Sequence, residues 1–167
     1  MRRSSGFTIV EIIVVLLLMS ILAATLLGRS VTTGTIDLNA ATDKIRNQLR
    51  YAQSQAMKRT DAVWGIQSDG SSQYWLFRAT PTATEDVVIP GGDYATGSTR
   101  ISFLNLKANL SNFTVVFNKI GKPYTGHTNE APTDPVNSTN TLAITVSKDA
   151  VSRTITITPE TGLSVIQ

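Results

Sequence analysis

An α+β chain is what the sequence predicts: a long N-terminal helix, membrane-spanning in its first half and amphipathic in its second, packed on a C-terminal antiparallel β-sheet or two-sheet β-sandwich. Three observations lead there. Residues 12–28 carry no charge and are almost wholly apolar. Leu38, Ala41, Ile45, Leu49, Ala52 and Ala56 then recur at spacings of three and four, the stripe of an amphipathic helix. Beyond Thr60 the period drops to two, as in half-buried strands. A chain of 167 residues with 41% hydrophobic content supplies one core, and its 16% charged residues fall below the roughly 25% of soluble domains.

Four segments follow. Residues 1–6 are a leader carrying Arg2 and Arg3, and 7–29 are a candidate span closed by Arg29. From Phe7 to Gly28 the run is long enough to cross the ~30 Å hydrocarbon of a bilayer at about 1.5 Å per helical residue. The two arginines favour a cytoplasmic start, with the bulk of the chain on the far side. A secretory signal would have a shorter apolar region and a clear small-residue cut site; Ser20-Ile21-Leu22-Ala23-Ala24 is a weak one. Neither a signal peptide nor a plain anchor accounts for Glu11. A carboxylate central in a spanning helix costs on the order of 2.5–3.5 kcal/mol, less near an interface, and normally has a partner.

Gly6-Phe7-Thr8-Ile9-Val10-Glu11 and the apolar helix after it resemble the class III signal of type IV pilins and type II secretion pseudopilins. The resemblance implies that a prepilin peptidase cuts between Gly6 and Phe7 and methylates the new amino terminus on Phe7. It also implies that Glu11 neutralises the terminal amine of a neighbouring subunit as the helices pack into a filament. Opposite charges in a low dielectric attract strongly, and each is costly there alone. Glycine before the cut has no Cβ and permits close approach of the protease.

Residues 30–60 continue as the amphipathic helix. Thr32-Thr33-Gly34-Thr35 is a weak helix stretch, so a bend or loosened turn is expected between Gly28 and Thr35. Asp37 and Asp43 precede Lys44, Arg46, Arg50, Lys58 and Arg59, the order the helix dipole favours; these cations read as a solvated face. Residues 61–167 form the β-rich domain, expected in the periplasm. Strands are expected at 62–67 and 73–79 about the turn Ser68-Asp69-Gly70-Ser71-Ser72, at 113–118, 141–147, 153–158 and 163–166. Residues 85–99 and 119–140, rich in Gly, Pro, Asn, Thr and Ser, read as surface loops. The second holds Tyr124, His127 and Glu130, a candidate contact surface.

The soluble part has its own resemblance. Leu49-Arg50-Tyr51-Ala52-Gln53-Ser54-Gln55-Ala56-Met57-Lys58-Arg59, Phe117-Asn118-Lys119-Ile120-Gly121-Lys122-Pro123 and Ile155-Thr156-Ile157-Thr158-Pro159-Glu160-Thr161-Gly162 are similar to segments of GspH/FimT-type minor pilins. That family implies a pilin-like fold. Its implied partners are other pilins or pseudopilins, the inner membrane and a secretion or pilus assembly platform.

Chemistry is not indicated. The chain has no cysteine and one histidine, His127, which removes thiolate and most imidazole chemistry. No nucleophile set, phosphate-cradling loop or metal spacing is present, so no catalytic residue, cofactor or metal is expected. Glu85-Asp86 with Asp93 nearby is an acidic cluster most simply read as solvated. The sequence pI is about 9.4, yet 15 Lys+Arg against 12 Asp+Glu leave only +3, too even to imply nucleic acid. Some FimT-type pilins bind DNA through Gly-Arg-x-Arg near the C-terminus. Here Gly162-Leu163-Ser164-Val165-Ile166-Gln167 lacks those arginines, so DNA is not an expected partner. The expected function is that of a non-enzymatic minor pseudopilin of a type II secretion system. The alternative is a minor pilin of a type IV pilus.

Overall fold

The structure, a computed structural model, describes residues 8–94, 96–139 and 141–167, with 26–34 as backbone only. The chain divides after Ile36 into two compact units.

Helix α1, Ile9–Lys58, begins in the first unit. Helical hydrogen bonding continues through 28–35, so no helix end falls at the expected loosened turn. From Ile9 to Leu22 the large apolar side chains are exposed. The polar residues here bond back to their own helix: Ser20 Oγ donates to the Leu17 carbonyl at 2.7 Å and Thr25 Oγ1 to that of Leu22 at 2.8 Å, which satisfies a hydroxyl without water.

In the second unit α1 changes character. All six stripe residues from Leu38 to Ala56 are buried, Ile45 and Ala52 completely. Thr42 belongs to the buried face too, its hydroxyl donating to the Leu38 carbonyl at 2.7 Å. Among the described residues eleven strands follow: β1 Val63–Ser68, β2 Gln73–Thr80, β3 Ala83–Val87, β4 Ile101–Ser102, β5 Asn109–Leu110, β6 Thr114–Phe117, β7 Pro123–His127, β8 Pro132–Pro135, β9 Leu142–Lys148, β10 Val151–Ile157 and β11 Ser164–Ile166. Seven make one antiparallel sheet in the order β3-β2-β1-β6-β7-β8, with β4 also beside β2. The other four make a second, β11-β10-β9-β5. The observed class is the expected one: α+β, a helix packed on antiparallel sheets.

One core joins the three layers. The helix stripe meets Trp64, Ile66, Tyr74, Leu76, Val115 and Phe117 of the larger sheet and Leu142, Ile144, Val146, Ile155 and Ile157 of the smaller. The smaller sheet shows the alternation that the sequence led one to expect: Ile144 pairs with Ile155 on the buried side, Thr145 with Thr154 on the other. Its β9–β10 hairpin is tied to α1 by Lys148–Asp37 at 3.0 Å and by Arg153 Nε donating to Asn39 at 3.1 Å.

The larger sheet departs from simple alternation. β1 and β2 are buried on both faces, because Val63, Trp75, Phe77, Ala79 and Val116 build a second, smaller core on the side away from α1. The His127 ring packs over Phe77 with centroids 4.7 Å apart, and Arg100 lies 3.9 Å above Trp75. Both segments expected to be loops contain strands. Residues 83–87 are edge strand β3, and the second segment contains the β7–β8 hairpin. Edge strands ladder on one side only, so prolines and charges that would break a central strand are tolerated there.

Candidate functional site

The residues singled out at the amino end are Gly6, Phe7 and Glu11. Gly6 and Phe7 lie outside the described residues. Glu11 lies in the first turn of α1. Its N–H donates to Thr8 Oγ1 at 3.3 Å and to the Thr8 carbonyl at 3.1 Å, so Thr8 caps the helix and Glu11 stands at the third helical position. A hydroxyl residue followed three positions on by glutamate is the capping-box pattern, and an acid in the first turn also suits the helix dipole. The Thr8 cap is legible in the sequence by that spacing. Beside Glu11 runs a groove of about 350 Å³ along Ile12, Val15 and Leu16, a carboxylate set in an otherwise apolar surface. Among the described residues no helix is long and apolar enough to cross a membrane; the described side chains of the apolar run stop at Thr25.

At the other end of α1 the three segments that resemble minor pilins meet. Gln53 Nε2 donates to the Gly121 carbonyl and to the Thr161 carbonyl, each at 2.8 Å, using both amide hydrogens. Gly121 and Gly162 adopt φ of +83° and +65°, and a Cβ on Gly162 would stand 2.7 Å from both Gln53 Nε2 and the Gly121 carbonyl oxygen. Only glycine fits such a left-handed, crowded position without strain. Lys122 and Glu160 close the same two turns at 2.6 Å. The pattern in these segments therefore specifies a clasp holding helix, β6–β7 turn and β10–β11 turn together.

The candidate contact surface is ordered rather than loose. Tyr124 takes a hydrogen bond from Asn118 Nδ2 at 3.3 Å. His127 is in β7, and Glu130 lies at the exposed β7–β8 tip. That tip reaches across to β3, where Thr84 Oγ1 donates to Asn129 Oδ1 at 3.2 Å. Between the end of α1 and the tip opens a cleft of about 620 Å³, with Arg59, Asp61, Pro81, Phe117, Lys119 and Glu130 among its walls. In the acidic cluster Glu85 pairs with Arg78 and Asp86 with Arg100.

Two buried polar groups complete the interior. The Tyr74 hydroxyl and the Gln48 side chain are both buried. Burial pushes the Tyr74 phenol above its ordinary range, and the Gln48 side chain acts the other way. Tyr94 is raised as well, chiefly by burial and against the lowering effect of its bond to the Ile89 backbone.

A helix exposed and apolar at its amino end, and built into a two-sheet core at its carboxyl end, defines a pilin-like subunit. Residues 1–27 match the prokaryotic N-terminal methylation motif, and residues 41–162 match the type II transport protein GspH. The chain belongs to the GspH family, of the GspH/FimT-type minor pilins and pseudopilins. No curated protein and no solved structure matches it. The family is structural rather than catalytic, is anchored through its N-terminal helix, and works with other pilins or pseudopilins after processing by prepilin peptidase.

Proposed function

We propose that this chain is a minor pseudopilin of a type II protein secretion system. On this reading prepilin peptidase cleaves between Gly6 and Phe7 and methylates Phe7. Residues 7–29 hold the subunit in the inner membrane as a single pass, with 30–60 as the amphipathic helix and 61–167 as the periplasmic domain. Glu11 then draws the helix into a short filament by neutralising the terminal amine of the neighbouring subunit. The observation that carries this reading is the pairing, in one chain, of a methylation-motif leader with a GspH match across the β-rich part. Glu11 in an apolar helix surface supports the pairing role, since a lone carboxylate there is costly.

The second reading, a minor pilin of a type IV pilus, rests on the same leader. Type II secretion is favoured because the soluble segments are GspH-like and the sequence contains no cysteine for a disulfide-bonded adhesive region. Deletion of the gene, followed by parallel assays of protein secretion, twitching motility and DNA uptake, tests the choice. Loss of secretion alone is the expected result. Loss of twitching with secretion intact overturns it in favour of the pilus, and loss of DNA uptake alone in favour of DNA capture.

A further inference from the structure

We infer that the cleft at the carboxyl end of α1 is a docking site for an extended segment of a partner protein that carries an acidic and a basic side chain flanking an apolar one. The cleft's about 620 Å³ lies within the roughly 300–1,000 Å³ of ligand sites, and its floor includes the buried side chains of Val63 and Phe117. Its rim carries both signs of charge, Arg59 and Lys119 with Asp61 and Glu130. The five ion pairs among the described residues, Asp43–Arg46, Arg78–Glu85, Asp86–Arg100, Lys122–Glu160 and Asp37–Lys148, all lie elsewhere. Four exposed charges thus border a cleft of mixed polar and apolar lining without pairing with one another, which is the complement of a segment bearing both charges beside an apolar side chain.

The wall also suits a polypeptide backbone. The last backbone bond of α1 runs from the Arg59 N–H to the Gln55 carbonyl. Ala56, one residue further on, is among the residues that line the cleft. Asn129 accepts from Thr84 through its oxygen, which leaves its amide hydrogens unused among the described residues. The far wall is held in place by that bond and by the His127–Phe77 contact, so the cleft exists before a partner arrives.

The test uses the full chain in detergent and capped peptides Gly-Asp-Leu-Lys-Gly and Gly-Lys-Leu-Asp-Gly, with Gly-Ser-Leu-Ser-Gly as the neutral control. Titration is followed by fluorescence of Trp64, over which Arg59 lies at 5.9 Å. Saturable binding by a charged peptide is expected, about tenfold weaker for the control, for Arg59→Gln with Lys119→Gln, and for Glu130→Gln, and weakened by salt. Ala131→Trp, which fills the cleft from its exposed rim, is expected to abolish binding with the thermal midpoint unchanged. Absence of saturation at millimolar peptide overturns the proposal. So does equal binding of the neutral peptide with no effect of the charge substitutions, or undiminished binding by a folded Ala131→Trp chain. Variants that alter self-association in sedimentation while no peptide binds would assign the cleft to a second copy and overturn it too.

Discussion

Replacing Gln53 tests whether the clasp at the end of α1 holds the second unit together. Its amide makes two hydrogen bonds of 2.8 Å, to the Gly121 and Thr161 carbonyls. At about 0.5–1.5 kcal/mol net for each bond, Gln53→Ala is expected to cost about 1–3 kcal/mol. For a domain of this size that lowers the thermal midpoint by about 4 °C per kcal/mol, on the order of 4–12 °C in all. Gln53→Glu is nearly isosteric yet has no hydrogen to donate when ionised, and it sets a negative charge beside two carbonyl oxygens. It is therefore expected to be less stable than Gln53→Ala at neutral pH. The sign of its pH dependence follows. The site disfavours the charged form, so the folded-state pKa rises above the ordinary carboxyl value of about 4.3, and the deficit shrinks as pH falls and the acid regains a donor. Circular dichroism of the full chain in detergent, melted at several pH values, reads all three. A Gln53→Glu chain as stable as the parent at neutral pH, or more stable than Gln53→Ala, refutes the clasp.

Three further outcomes are expected. Glu11→Ala should leave the protein processed and inserted but poorly recruited into filaments, whereas Thr8→Val should cost about 1 kcal/mol of helix capping without that loss; recruitment of both at parent levels counts against Glu11 pairing. Gly6→Leu should block leader removal, so that mass spectrometry finds an amino terminus ahead of Phe7; a methylated Phe7 in that variant would exclude the cleavage site. Tyr74, raised by burial, contributes stability fully present below the unfolded phenol pKa of about 10 and lost as pH rises above it, because only the unfolded chain ionises there. Tyr74→Phe, which removes the buried hydroxyl, should flatten the alkaline loss seen by denaturant titration.

Periodicity made the helix and the central strands readable. Every residue of the stripe from Leu38 to Ala56 is buried, and the Leu142, Ile144 and Val146 alternation is that of β9, because burial on one face imposes a period directly on the side chains. The edges were illegible for the opposite reason. β3 exposes Thr84, Glu85 and Asp86, and β8 is bounded by Pro132 and Pro135, so neither shows an apolar period. Long-range contact hid the rest. His127 of β7 packs on Phe77 of the outer core across 50 positions of sequence, a contact that no local pattern signals. The clasp was visible only as a family resemblance. Gln53, Gly121 and Gly162 carry no local signal that they touch. Of the proposed assembly site, Glu11 and the apolar helix are legible in the sequence.

The clasp bears on the order in which the chain can mature. Its two hydrogen bonds bridge separations of 68 and 108 residues, and contacts so far apart in sequence form slowly because a long loop must close first. During synthesis α1 is complete by Lys58, yet its last turns have nothing to seal against until Thr161 has emerged. Until then the helix is finished but unfastened, and its sealing waits on a strand turn made about a hundred residues later.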